Sequence, residues 1–225
     1  MGVISLRRRF DPSVRTDVFE VKLGDEHVMS SLFTVAEQEL ARLGLARAPG
    51  TALDVIVGGL GLGYTAREAL LCSRIRTLTV IEYSDAVIDW HQRNLLPDTA
   101  GLAADGRVAL VCADFFAAAM DEVGFDPDSP GRCYDAILLD IDHSPRHLLH
   151  DPHAHFYTYD GLHSASTKLA PGGTFAMWSD DPPDDDFTAL LEAVFTGVET
   201  ETVWFDNPIT RGRSAATIYL ATRPG

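Results

Sequence analysis

The run Asp54-Val55-Ile56-Val57-Gly58-Gly59-Leu60-Gly61-Leu62-Gly63 constrains the fold more than any other part of the chain. A short apolar segment enters a glycine loop, and Tyr64 to Ser73 then read as a helix. A second apolar segment, Thr77 to Ile81, ends in Glu82. Strand, glycine turn, helix and strand in this order form one unit of a parallel α/β sheet. Glycines let the backbone approach a ligand, and an acid at the next strand tip accepts hydrogen bonds from ribose hydroxyls. Gly59, Gly61 and Gly63 give G-x-G-x-G, whereas the dinucleotide fingerprint would need glycine at 64, where Tyr64 stands. The pattern therefore points to an adenosine nucleoside.

The alternation continues along the chain. Strands are expected near 52–57, 77–82, 107–112, 134–139 and 173–178, and helices near 64–73, 84–95, 114–122, 156–169 and 185–195. Such alternation argues a parallel sheet covered on both faces. The end changes pattern: Val198 to Phe205 and Ala215 to Ala221 read as two strands with no helix between them. An antiparallel hairpin closing a parallel sheet is the habit of class I methyltransferase-like domains. The expected fold is thus α/β and Rossmann-like, with a mostly parallel seven-stranded sheet and a C-terminal antiparallel hairpin. In front, Val3 to Phe10 and Val14 to Leu23 read as a hairpin. Thr34 and Glu37 form a capping-box pattern for a helix through about Leu45. Residues 1–50 are expected to be an appendage, and 51–225 the nucleoside-binding domain.

The chain has 225 residues, 46% of them hydrophobic, enough for a substantial core without metals or disulfides. A net charge of -15 argues against nucleic acid, which demands a basic surface, and would attract a cationic substrate. No apolar run approaches the length of a membrane span. Arg7-Arg8-Arg9 is followed by Phe10-Asp11-Pro12 and not by an apolar segment, so no secretory leader is expected. Cys72, Cys112 and Cys133 are read as buried free thiols of a cytoplasmic protein.

Three further segments carry chemistry. Asp114, before Phe115-Phe116, can accept a hydrogen bond from the adenine amine while apolar neighbours hold the ring; it can also cap the helix that follows. Tyr83, beside Glu82, can pack near the ribose or adenine, or in the core. Glycine loop, Glu82 and Asp114 together suit S-adenosylmethionine or a close relative. At the fourth strand end, Leu139-Asp140-Ile141-Asp142-His143 places acids where a sulfonium would lie, able to take a proton from an attacking amine or to bind a cation. At the fifth, Trp178-Ser179-Asp180-Asp181 brings two more acids to the same mouth, while Asp184 to Asp186 suit a helix start. Mg²⁺ would suit these carboxylates better than the histidines, but no metal ligand is assigned. Six of the eight histidines lie between Asp142 and His163, without zinc spacing.

At these residues the chain resembles the polyamine aminopropyltransferases, the spermidine synthase family, from about Thr51 to Phe195. Gly59 to Glu68, GLGLGYTARE, is similar to the family segment GGGDGGVLRE. Tyr134 to Asp140, YDAILLD, is similar to YDVIIxD, whose final aspartate is the family's general base. His155-Phe156-Tyr157 and Leu169-Ala170-Pro171-Gly172-Gly173 are similar to xFY and LxPGG. The resemblance implies S-adenosylmethionine or its decarboxylated form as cofactor, aminopropyl transfer to a small cationic amine, and a homodimer. It implies Asp140 as base, with Asp142 beside it, and His143, Asp180 and Asp181 toward the substrate. Leu62 stands where the family carries an acid for the aminopropyl amine. The family's tyrosine–histidine–glutamate signature is not evident in Asp25 to Ser31. A second, shorter resemblance links Leu139 to Ser144 with the IDGDHS segment of Mg²⁺-dependent small-molecule O-methyltransferases. The alternative reading is an S-adenosylmethionine-dependent small-molecule methyltransferase, metal-assisted or not, with a non-catalytic nucleoside-binding module as a third.

Overall fold

In a computed structural model describing residues 3–225, the chain forms two sheets. The first is three-stranded and antiparallel: β1 (Ile4–Asp11), β2 (Thr16–Leu23) and β3 (Glu26–Ser30). Its third strand is one more than the hairpin expected, because Gly24 takes a positive φ and turns the chain back once again. Helix α1 (Val35–Arg47) follows. Thr34 stands at its N-cap without a side-chain hydrogen bond, so the expected capping box does not form. Glu37 is buried instead.

The main sheet holds β4 (Leu53–Gly58), β5 (Ile75–Glu82), β6 (Val108–Cys112), β7 (Tyr134–Leu139), β8 (Leu169–Ser179), β9 (Thr196–Asn207) and β10 (Gly212–Thr222). The spatial order is β6-β5-β4-β7-β8-β10-β9; β10 runs antiparallel to β8 and β9, and the other neighbours are parallel. Helices α2 (Tyr64–Ala69), α3 (Asp85–Gln92), α4 (Phe115–Met120), α5 (Tyr159–Thr167) and α6 (Asp185–Val194) link and cover the strands. This is the methyltransferase-like architecture that the alternation predicts.

Two cores form, one on each face of the sheet. β4 is buried along its whole length, with Val55 and Val57 packing on one side and Ile56 on the other. A strand buried on both faces reads as continuous apolar sequence, which is why this one stood out. Chain order runs outward in both directions from β4 and β7, leaving a crevice at their carboxyl ends, where ligands of such sheets bind. Across it the Asp140 amide donates to the Gly58 carbonyl at 2.8 Å. The cysteines depart from expectation: Cys112 and Cys133 are exposed and Cys72 half-buried, because each lies at an element end. Among the described residues no helix is long and apolar enough to cross a membrane.

Candidate active site

The loops leaving β4, β5, β6 and β7 enclose a narrow cavity of about 140 Å³. Gly59, Gly61, Glu82, Tyr83, Asp114, Phe115 and Asp140 all line it, so most of the nucleoside residues expected from sequence converge. Val87, Phe116, Ile141 and Leu149 make its walls apolar, and Ile4, Val21, Leu23 and Val28 reach in from the small sheet. An apolar slot carrying three carboxylates, Glu82, Asp114 and Asp140, fits a nucleoside: the base between apolar side chains, its hydroxyls and amine toward oxygen acceptors.

Glu82 braces the glycine loop as well as facing the slot. One carboxylate oxygen accepts from the Leu60 amide at 3.0 Å, the other from Ser84 at 2.8 Å. A carboxylate has about four lone-pair sites, so acceptor capacity remains for ribose. Asp114 caps α4, accepting from the Ala117 amide at 3.1 Å, and still lines the slot. Tyr83 sits at the rim, exposed; Phe115 is buried and stacks on Phe125.

The glycines divide their duties. Gly59 has φ +93°, and a Cβ there would run into the Asp140 carbonyl, so this glycine lets the β4 loop and the β7 tip touch. Gly61 has φ +47° and abuts the Met29 thioether, which also accepts from the Leu62 amide at 3.1 Å. Gly63 departs from expectation. It faces away from the cavity, toward His91, Thr99 and Leu102. Leu62 is fully buried.

A second, wider cavity of about 360 Å³ opens beside the first, bounded by α1, the β8 tip and the β9–β10 hairpin. Glu37, His143, Trp178 and Asp180 line it together with Met29, Phe33 and Phe205. Asp140 lines the first cavity and is linked through Thr65 to Glu37, which lines the second. The Thr65 hydroxyl donates to Asp140 Oδ2 at 2.6 Å and lies 3.3 Å from the Glu37 carbonyl oxygen. Burial, then the charges of Asp140 and Asp180, push the Glu37 carboxyl up to about 8. Burial pushes Asp140 up to about 6, with the Thr65 hydrogen bond pulling the other way. Among the described residues no cationic side chain acts on either group. The pair therefore has an electrostatic need for a cation or a shared proton.

Glu37 is the residue that sequence reasoning missed. A capping box explained it locally, and only the tertiary fold brings α1 against the β7 tip. Two other expectations are corrected. Asp142 does not face the mouth. Its side chain is wholly enclosed, accepting from the Leu149 amide at 2.8 Å, the Tyr157 hydroxyl at 2.9 Å and His153 Nδ1 at 2.8 Å. Asp181 turns away as well, taking the Ser144 hydroxyl at 2.6 Å and His147 Nδ1 at 2.9 Å. Among the described residues no group of three or more His, Cys, Asp and Glu is arranged to hold a metal. The donor set implied by the Mg²⁺ resemblance is thus dispersed, with two of its four acids committed elsewhere.

No protein-family model matches the sequence. A polyamine aminopropyltransferase of Corynebacterium efficiens is 33% identical over 142 residues, covering 63% of this chain and 25% of that protein. The matched stretch thus spans about a quarter of that relative's length. Two solved structures share the fold. Spermidine synthase in complex with the transition-state analogue AdoDATO aligns at TM-score 0.72 and 16% identity, and spermidine synthase of Thermotoga maritima at 0.73 and 17%. Each alignment covers 99% of this chain and 70% of the other. The chain is thus similar over part of its sequence to a polyamine aminopropyltransferase, and it shares the fold of spermidine synthases.

Proposed function

We propose that the chain transfers an aminopropyl group from decarboxylated S-adenosylmethionine to a small amine. One observation carries the reading: Asp140, at the β7 tip, lines the nucleoside slot and is linked through Thr65 to Glu37, which lines a second, acid-lined cavity. The sulfonium substrate supplies an activated carbon and a neutral thioether leaving group. Glu82 and Asp114 hold the nucleoside, and Glu37, Asp180 and Asp140 draw in the cationic amine. Asp140 takes the proton that the attacking nitrogen must lose. As the N–C bond forms the C–S bond breaks, and its electron pair leaves on sulfur as a methylthio-nucleoside. Phe33, Trp178 and Phe205 seat the apolar part of the acceptor. Alignment of nitrogen, carbon and sulfur beside Asp140 supplies much of the rate.

Methyl transfer to a similar acceptor is the second reading, favoured by Leu62. Its burial leaves the glycine loop without an acid for the aminopropyl ammonium. Calorimetric titration with S-adenosylmethionine, its decarboxylated form, S-adenosylhomocysteine and methylthioadenosine separates the two. Preference for decarboxylated cofactor and methylthioadenosine supports aminopropyl transfer. Preference for the carboxylate-bearing pair converts the reading to a methyltransferase, and binding of none removes both.

A further inference from the structure

Asp142 and His153 form a buried pair that group transfer does not use. Asp142 lies 2.8 and 3.1 Å from His153 Nδ1 through its two oxygens. A carboxylate there takes Nδ1–H as donor, which leaves Nε2 as the ring nitrogen available to a ligand. The ring stacks on Phe116, centroid to centroid 4.1 Å, and lines the nucleoside slot. Nε2 has no protein hydrogen bond, and His153 is one of the residues lining that slot. Asp114, two residues before Phe116, lines the same slot.

We infer that His153 Nε2, set in its acceptor tautomer by Asp142, reads the exocyclic amine of the nucleobase and selects 6-aminopurine over 6-oxopurine nucleosides. The inference rests on the nucleoside-binding part of the proposed function. An amine donates to Nε2, whereas a 6-oxo group would bring a second lone pair against it. Specificity built on a hydrogen bond rejects the wrong partner strongly, because both polar groups then stay unpaired. Asp142 acts here as a positioning residue and His153 as the reader. The histidine-rich loop thereby supplies a wall of the nucleoside site.

The test is calorimetric titration of wild type and His153→Phe with methylthioadenosine and methylthioinosine. Phe keeps the stack on Phe116 and removes the acceptor. Wild type is expected to prefer the adenine compound at least tenfold, and His153→Phe to lose about five- to tenfold of that preference. His153→Gln, whose amide oxygen can accept, should recover part of it. Should His153→Phe fail to fold, nitrogen NMR of the wild-type histidines decides: methylthioadenosine should shift the His153 Nε2 resonance. An unchanged preference in His153→Phe, or an unmoved resonance, overturns the role of His153 while leaving nucleoside binding intact. Binding of neither compound by wild type overturns the nucleoside reading, and this inference with it.

Discussion

The two ends of the parallel sheet treat a carboxylate in opposite ways. At the amino end, Asp54 on β4 meets Arg76 at 2.5 Å and Arg132 at 3.1 Å, and Thr77 donates to it at 2.7 Å. These partners, Arg76 foremost, hold its carboxyl well below the usual range. At the carboxyl end, Glu37 is buried and Asp140 half-buried, no cationic side chain among the described residues acts on either, and both are pushed up. The first arrangement is finished, and the second is left open at a cavity. Evolution keeps such unrelieved charge where a ligand relieves it, because an unpaired buried acid costs stability.

The largest difference should come from neutralising each end. Asp140→Asn should lower turnover by roughly 10²–10⁴-fold, the range for loss of a general base, with nucleoside affinity changed little. Wild-type turnover in that variant would remove Asp140 from the mechanism. Asp54→Asn should do the reverse: activity per folded molecule kept, stability lower by about 2–3 kcal/mol, because Arg132 and Thr77 lose their partner. Denaturant melts at pH 7 measure it. Equal losses of turnover from both variants would erase the contrast between the two ends.

The pH dependence sharpens the same comparison. Asp54 has its pKa depressed on folding, so its stabilisation is present above the ordinary carboxylate range and disappears as pH falls. Glu37 has its pKa raised on folding, so the folded state holds its proton more firmly. That stability is present below the ordinary glutamate range and is lost as pH rises toward about 8. Asp140 adds a loss of the same sign, complete by about 6. Glu37→Gln imitates the protonated acid. It should flatten the decline in melting temperature between pH 5 and 8 and stabilise the protein by about 1–2 kcal/mol at the alkaline end. An unchanged melting profile would mean that Glu37 is solvated in the folded protein.

The same contrast explains what the sequence reveals. Strands β4, β5 and β7, the glycine loop, Glu82 and Asp114 are local signals: apolar runs, turn glycines and acids at strand tips. The terminal hairpin shows itself because no helical period separates β9 from β10. Glu37 escaped because its partner is about a hundred residues away, and a local hydrogen-bond pattern explained it well enough. Asp142 and Asp181 misled for the converse reason. Their spacing suited the mouth, but His153, Tyr157, Ser144 and His147 reach them only through the path of an irregular loop. The third strand of the small sheet depends on one positive-φ turn at Gly24, which the flanking Asp25 and Glu26 disguise as a solvated loop.

Asp142 offers the finest division between the two kinds of carboxylate. It is as enclosed as any acid in the chain, yet hydrogen bonds satisfy it without an arginine. Tyr157→Phe removes one of those bonds and leaves the ring in place, and burial with the Asp142 charge already holds that phenol protonated. The loss should be about 1 kcal/mol, the net worth of one buried hydrogen bond. Where it appears tells what Asp142 is for. If Asp142 only stitches the loop to the body, as Asp54 stitches the strands, the melting temperature falls and the kinetics stay. If it also sets the wall of the nucleoside slot, KM for the nucleoside substrate rises about two- to fivefold while kcat holds, because Leu149 and His153 lose registry over the base. We expect the second outcome, since both residues line the slot. A fall in kcat with KM unchanged would instead put Asp142 on the side of Asp140.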